Sequence, residues 1–170
     1  FNILAVNLGW LNLIMTNNLN PEVSIIKYNA GNIMSVIYAL ERLGVTYELT
    51  DDIEKLKNAN KIIFPGVGHA GSAMQSLIDT GIDKLIPTLT QPFLGTCVGM
   101  QLLCKSSEES NVDCIGIFDV PVLKFKTTPG FKIPQTGWNN IYDYKSDICD
   151  GIKNNAYVYY NHGYYAPLCE

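Results

Sequence analysis

Cys97 lies in the run Gly95-Thr96-Cys97-Val98-Gly99-Met100-Gln101, where a short apolar segment gives way to helical spacing. A cysteine between two near glycines at a strand-to-helix junction fits a sharp, strained turn that lifts the sulfur above a sheet. There the sulfur is a candidate nucleophile. The start of the following helix favours the thiolate, and the amide of Val98 is free to donate to an oxyanion formed by attack on a carbonyl. Taken alone, the pattern fits equally well a cysteine buried as a small hydrophobe. A second candidate is Pro65-Gly66-Val67-Gly68. Its two glycines let the amides of Gly66, Val67 and Gly68 turn toward a reacting carbonyl and supply the other half of an oxyanion hole. An ordinary strand-to-helix turn has the same composition.

Regular elements are needed to bring those two turns together. The β-branched run from Val23 to Tyr28 reads as a strand and stops at Asn29-Ala30-Gly31-Asn32; Ile33 to Leu43 follows at helical spacing, ended by Gly44. Val45 to Leu49 reads as a second strand, Asp51 or Asp52 as the cap of a short helix over Ile53 to Lys57, and Lys61 to Phe64 as a third strand. Gly71 to Ile78 looks helical, Pro92 to Leu94 is a strand, and a helix carries Val98 to Cys104. Such alternation predicts an α/β fold, an open and mainly parallel sheet with helices on both faces. Both glycine turns then fall at carboxyl ends of strands, where open α/β sheets build their sites. Beyond Cys104 the style changes. Ser106 to Asn111 reads as a polar loop, and patches at Val120 to Phe125 and Ala156 to Tyr160 predict antiparallel strands added to the core.

Composition narrows the classes of function. With 170 residues and a formal charge of −4, the chain suits one domain and offers nucleic acid no basic stripe. The five cysteines are scattered, without a C-x-x-C pair, so neither a disulfide framework nor a metal site is indicated, and a reducing, cytoplasmic setting fits best. The chain opens on Phe1, and Met15 is a candidate for the true start. Residues 1–22 therefore read as a non-native extension or an extra strand, and residues 23–170 as the working domain. The apolar stretch Phe1 to Ile14 is too short to span a bilayer and is interrupted by Asn2, Asn7 and Asn12.

Five segments in order resemble the class I glutamine amidotransferases, and more narrowly the glutaminase subunits of imidazole glycerol phosphate synthase, from histidine biosynthesis. They are the segment from Tyr28 to Val36, Pro65 to Gly68, Gly95 to Gln101, Pro134-Gln135-Thr136-Gly137-Trp138-Asn139, and Tyr160-Asn161-His162-Gly163-Tyr164-Tyr165. The resemblance implies a flavodoxin-like fold, truncated at its C-terminal end, and no cofactor. It implies that Cys97 attacks the side-chain amide of glutamine, releases ammonia, and leaves a thioester that water hydrolyses. Gly66, Val67, Gly68 and Val98 would hold the oxyanion, and Gln101, Gly163 and Tyr164 the amino-acid end of the substrate. Trp138 and Asn139 would face a barrel-shaped synthase subunit that receives the ammonia.

The family's catalytic histidine and glutamate belong to a histidine-proline-glutamate motif beyond the tyrosine-rich segment, and the sequence ends at Glu170 before it. Neither histidine present replaces that pair. His69 reads as a loop residue, and His162 as a packing or hydrogen-bonding one. Gln135, Thr136 and Gly163 depart from the family pattern and bear on the partner. The alternatives are a paralogue that amidinates surface-glycan sugars and a regulatory, non-catalytic subunit. Tyr157 and Tyr159 alternate as same-face residues of one strand do, whether for packing or for stacking.

Overall fold

The computed structural model describes residues 3–6, 21–29, 32–144 and 146–168. Its centre is a five-stranded sheet of β1 (Ile3–Val6), β2 (Val23–Ile26), β3 (Tyr47–Thr50), β4 (Ile62–Phe64) and β5 (Phe93–Thr96), in the order β1-β5-β4-β2-β3. Strands β2 to β5 run parallel, and β1 lies antiparallel on the outer edge of β5 with Ile3 opposite Thr96. The remaining residues before Pro21, and residues 30 and 31, lie outside the described residues.

Period-two alternation sends neighbouring side chains of each strand into different cores. Ile26, Ile62, Phe64 and Phe93 pack against α2 (Ile53–Lys57), α3 (Ala70–Thr80), α4 (Ile82–Leu85) and α5 (Val98–Leu102). Val23, Ile25 and Ile63 pack on the opposite side against Ile37 and Leu40 of α1 (Ile33–Leu43). This is the double-faced α/β arrangement expected, and α1 and α2 have the bounds read from the sequence.

Local chemistry explains those bounds. Gly44 takes the left-handed conformation at φ 69°, and its N–H closes on the carbonyls of Leu40 and Glu41. Asp52, rather than Asp51, caps α2: its carboxylate accepts from the amides of Glu54 at 2.9 Å and Lys55 at 3.1 Å, a contact worth about 1 kcal/mol. Helix α3 extends the Gly71 to Ile78 expectation at both ends. The Glu109 carboxylate accepts from the Ala70 amide at 2.7 Å, so a side chain far along the sequence satisfies the first turn. Helix α4 goes beyond the expectation, because Gly81 at φ 74° reads locally as a stop.

Three expectations for the later part change. Helix α5 ends at Leu102, and Cys104 begins β6 (Cys104–Ser107), so Ser106 and Ser107 are strand rather than loop. Strand β8 (Phe118–Lys124) pairs parallel with β6, and β7 (Val112–Asp113) pairs with it antiparallel. That sandwiching overrides the weak strand propensity of Lys-Ser-Ser. Third, the late strands do not extend the central sheet. They form a four-stranded sheet that includes β11 (Tyr164–Tyr165) and a separate antiparallel hairpin of β9 (Gln135–Ile141) and β10 (Ala156–His162).

Candidate active site

Strands β2, β4 and β5 are neighbours in the sheet, so their carboxyl ends carry Tyr28, Pro65 to Gly68 and Cys97 to one place. Cys97 has φ 54° and ψ −121°, a backbone region that residues with a Cβ avoid and that persists only where the surroundings impose it. Two glycines make the turn sterically feasible. A Cβ at Gly99 would collide with the carbonyl oxygen of Phe64 and stand 2.8 Å from that of Pro65. A Cβ at Gly95 would come within 2.9 Å of the Met100 backbone. The sequence-derived elbow is therefore present.

The oxyanion loop is anchored from below. Tyr28 is buried, and its hydroxyl donates to the Pro65 carbonyl at 2.6 Å. Burial, with the neighbouring Cys97 as a second cause, raises the Tyr28 phenol above its ordinary range and keeps it a donor. Gly66 is held between that hydroxyl and the Gly99 amide, both of which a Cβ would strike. One expectation changes here: the Val98 amide is not free, because it donates to the Gly66 carbonyl at 3.3 Å. The loop thus presents a carbonyl, rather than an N–H, to the elbow's donor.

Two cavities meet at the elbow. The larger, about 540 Å³, is lined by Gly68, Val98, Glu109, Lys124, Gly163 and Tyr164 among others. The smaller, about 300 Å³, is bounded by Asn32, Ser35, Val36, Pro65, Thr96 and Tyr159, none of them charged. Val67, Cys97, Gln101, Asn161 and His162 border both. Gln101 is only 6% exposed, and its carboxamide oxygen has no hydrogen-bond partner among the described residues, so a buried acceptor remains to be satisfied at the junction.

The structure thus brings Cys97, Gly66, Val67, Gly68, Val98, Gln101, Gly163 and Tyr164 together. Trp138 and Asn139 stand apart, exposed on β9. Trp138, 69% exposed, meets Tyr159 edge-on at 5.6 Å on the face of the hairpin that also carries Tyr157. His69 borders neither cavity and contacts Ser110 at 3.1 Å. His162 is hydrogen-bonded to the Tyr164 carbonyl at 3.0 Å. Among the described residues neither histidine is hydrogen-bonded to a carboxylate. Glu109 and Lys124 line the larger cavity and are missed by the sequence reading. Each joins it through pairing or folding over a long separation, and no local pattern marks it; Asn161, within the Tyr160 to Tyr165 segment, borders both cavities.

Among the described residues there is no helix long and apolar enough to cross a membrane and no cluster of metal-ligating side chains. Cys97, Cys114 and Cys149 are free thiols.

A mainly parallel α/β sheet with a strained cysteine elbow beside a glycine loop is the architecture of cysteine-dependent acyl-transfer enzymes. The profile described as "Glutamine amidotransferase class-I" matches residues 24–168, and the chain belongs to that family. It is 52% identical over 150 residues to the imidazole glycerol phosphate synthase subunit HisH of Bacteroides fragilis, covering 88% of this chain and 76% of that protein. The HisH subunit of Shewanella loihica is 38% identical over 159 residues, with 88% and 70% covered, and that of Haemophilus influenzae 40% over 144 residues, with 84% and 72%. In fold, the chain superposes on a crystal structure assigned to a GMP synthase component from Thermoplasma acidophilum. The TM-score is 0.61 at 19% identity, over 88% of this chain and 68% of that one.

Proposed function

We propose that residues 23–170 form the amidotransferase domain of a glutaminase subunit of imidazole glycerol phosphate synthase, acting in the cytoplasm in histidine biosynthesis. The observation that carries the chemistry is the Cys97 elbow, strained and open to two cavities of different character. The cavity bearing Glu109 and Lys124 suits the charged end of an amino acid, and the uncharged cavity suits ammonia. The HisH relatives favour this reading over a paralogous sugar amidinase or a regulatory subunit.

In this reading the Cys97 sulfur bonds to the amide carbon of glutamine, and the negative charge moves to the former carbonyl oxygen. The C–N bond breaks as the nitrogen takes a proton and leaves as ammonia. Water then attacks the thioester, the C–S bond breaks, and glutamate departs from the restored thiol. The oxyanion is received by the amides of Val98 and the Gly66 to Gly68 loop. For that, the bond from the Val98 amide to the Gly66 carbonyl has to open. The buried Gln101, with Gly163 and Tyr164, holds the amino-acid end. The base is the histidine of the family's histidine-proline-glutamate motif, downstream of the tyrosine-rich segment. Ammonia leaves through the smaller cavity, which Tyr159 lines, to a barrel-shaped synthase subunit docked on strand β9, where Trp138 lies on the aromatic face and Asn139 on the opposite one.

A diazo-ketone analogue of glutamine tests the reading in the full-length gene product. The expected result is an adduct on Cys97, prevented by glutamine and abolished in Cys97→Ser. Absence of any adduct, with and without the synthase subunit, would refute it.

A further inference from the structure

Two successive carbonyls of the glycine loop accept from donors of different kinds. That of Pro65 accepts from the Tyr28 hydroxyl at 2.6 Å, and that of Gly66 from the Val98 amide at 3.3 Å. Only the second bond has to open for the Val98 amide to reach an oxyanion. The Gly66 carbonyl belongs to the planar peptide joining Gly66 to Val67, so turning that unit alone frees the amide, and the Pro65–Gly66 peptide before it need not move. A fixed point directly ahead of a turning peptide sets where the turned peptide comes to rest.

Tyr28 is built as such a point. Its ring is only 8% exposed and packs on Phe64 of β4 at 5.3 Å, which in turn meets Phe93 of β5 edge-on at 5.9 Å. The backbone on either side is tied down as well. The Lys27 amide donates to the Thr50 carbonyl at 2.9 Å, and the Asn29 amide to the Ser76 hydroxyl of α3 at 3.1 Å. Gly66 fits with no space to spare, because a Cβ there would stand 2.7 Å from the Tyr28 hydroxyl and 2.9 Å from the Val98 Cβ.

We infer that Tyr28 is a positioning residue for the reaction: its hydroxyl holds the Pro65–Gly66 peptide still while the Gly66–Val67 peptide turns, so that the loop amides meet the oxyanion in one geometry. This assignment rests on the glutaminase reading and adds to it a residue that lines neither cavity. Donors aimed at a developing oxyanion act in the transition state and not on bound substrate, so loosening them lowers kcat and leaves KM in place.

The test uses the full-length gene product, bound to its synthase partner, and the variant Tyr28→Phe, which loses the hydroxyl and keeps the ring. Its kcat for glutamine is expected to fall about tenfold, less than the roughly 10²–10³ that follows outright loss of an oxyanion donor. KM stays within about twofold. Alkylation of Cys97 by iodoacetamide, a displacement at saturated carbon that forms no oxyanion, keeps its wild-type rate and reports an intact elbow. Replacing Tyr28 by 3-fluorotyrosine, which retains the hydroxyl, preserves kcat. An unchanged kcat in Tyr28→Phe, a loss carried by KM, or equal slowing of hydrolysis and alkylation overturns the assignment while leaving the glutaminase reading intact. So does faster hydrolysis by Tyr28→Phe without the synthase, which would make the hydroxyl a brake. A wild-type enzyme that hydrolyses no glutamine overturns both.

Discussion

The backbone strain at Cys97 makes an unusual demand on stability. At φ 54° and ψ −121° a residue with a Cβ costs about 1–3 kcal/mol. Cys97→Ala removes the sulfur but keeps the Cβ and therefore the strain; Cys97→Gly removes both. At an unstrained position glycine is the worse residue by about 0.5–1 kcal/mol, because its unfolded chain has more freedom to lose. Taking about 2 kcal/mol for the relieved strain and about 1 kcal/mol for that entropy, the glycine variant comes out roughly 1 kcal/mol more stable than the alanine variant. For a chain of this size that is about 2–4 °C in Tm. Urea titration and calorimetry of the two variants, measured side by side, give the order directly, and neither variant retains glutamine hydrolysis. An alanine variant equal to or more stable than the glycine variant would refute the claim that the fold holds Cys97 under strain.

Gly99→Ala probes the same turn from the other side. Its Cβ would strike the Phe64 carbonyl and lie 2.8 Å from the Pro65 carbonyl, and both obstacles are backbone. We expect a loss of about 1–3 kcal/mol despite alanine's better helix propensity, together with lowered glutaminase activity. In Gly163→Ala the new Cβ would stand 3.8 Å from Ile133, and stability should change by no more than about 0.5 kcal/mol; thermal melts of the two variants decide. Cys114 carries a pH signature. Burial foremost, then the charges of Cys104 and Asp113, push its thiol from the ordinary 9.0 up to about 12. The folded state therefore keeps a proton that the unfolded chain gives up. The contribution is complete below pH 9.0 and is lost as pH rises toward about 12. Cys114→Ala should accordingly show a flatter decline of Tm over that alkaline range, and a parallel decline would contradict the assignment.

The alternation of elements was legible because its signals are short in range. The spacing of Ile33 to Leu43, the left-handed stop at Gly44 and the cap at Asp52 each depend on a few adjacent residues. The elbow was legible for the same reason, since Gly95, Cys97 and Gly99 declare a local backbone geometry. Where neighbours across space intervened, the local reading fell short. Ser106 and Ser107 became strand because β7 and β8 flank them, and Gly81, which ends α3, also opens α4.

By itself, then, the sequence determined the alternation of strands and helices up to the elbow, the strained cysteine turn and the glycine loop, all of which follow from steric preferences of consecutive residues. Tertiary structure decided what those parts face. Adjacency of β2, β4 and β5 set Tyr28 under Pro65, and the bond from the Val98 amide to the Gly66 carbonyl filled the donor that the turn alone leaves open. Register placed Lys124 opposite Tyr164, in a cavity that also receives Glu109. Such relations join residues tens of positions apart. They arise only when the sheet pairs and the helices bury their apolar faces, because no local conformational preference carries information over that separation.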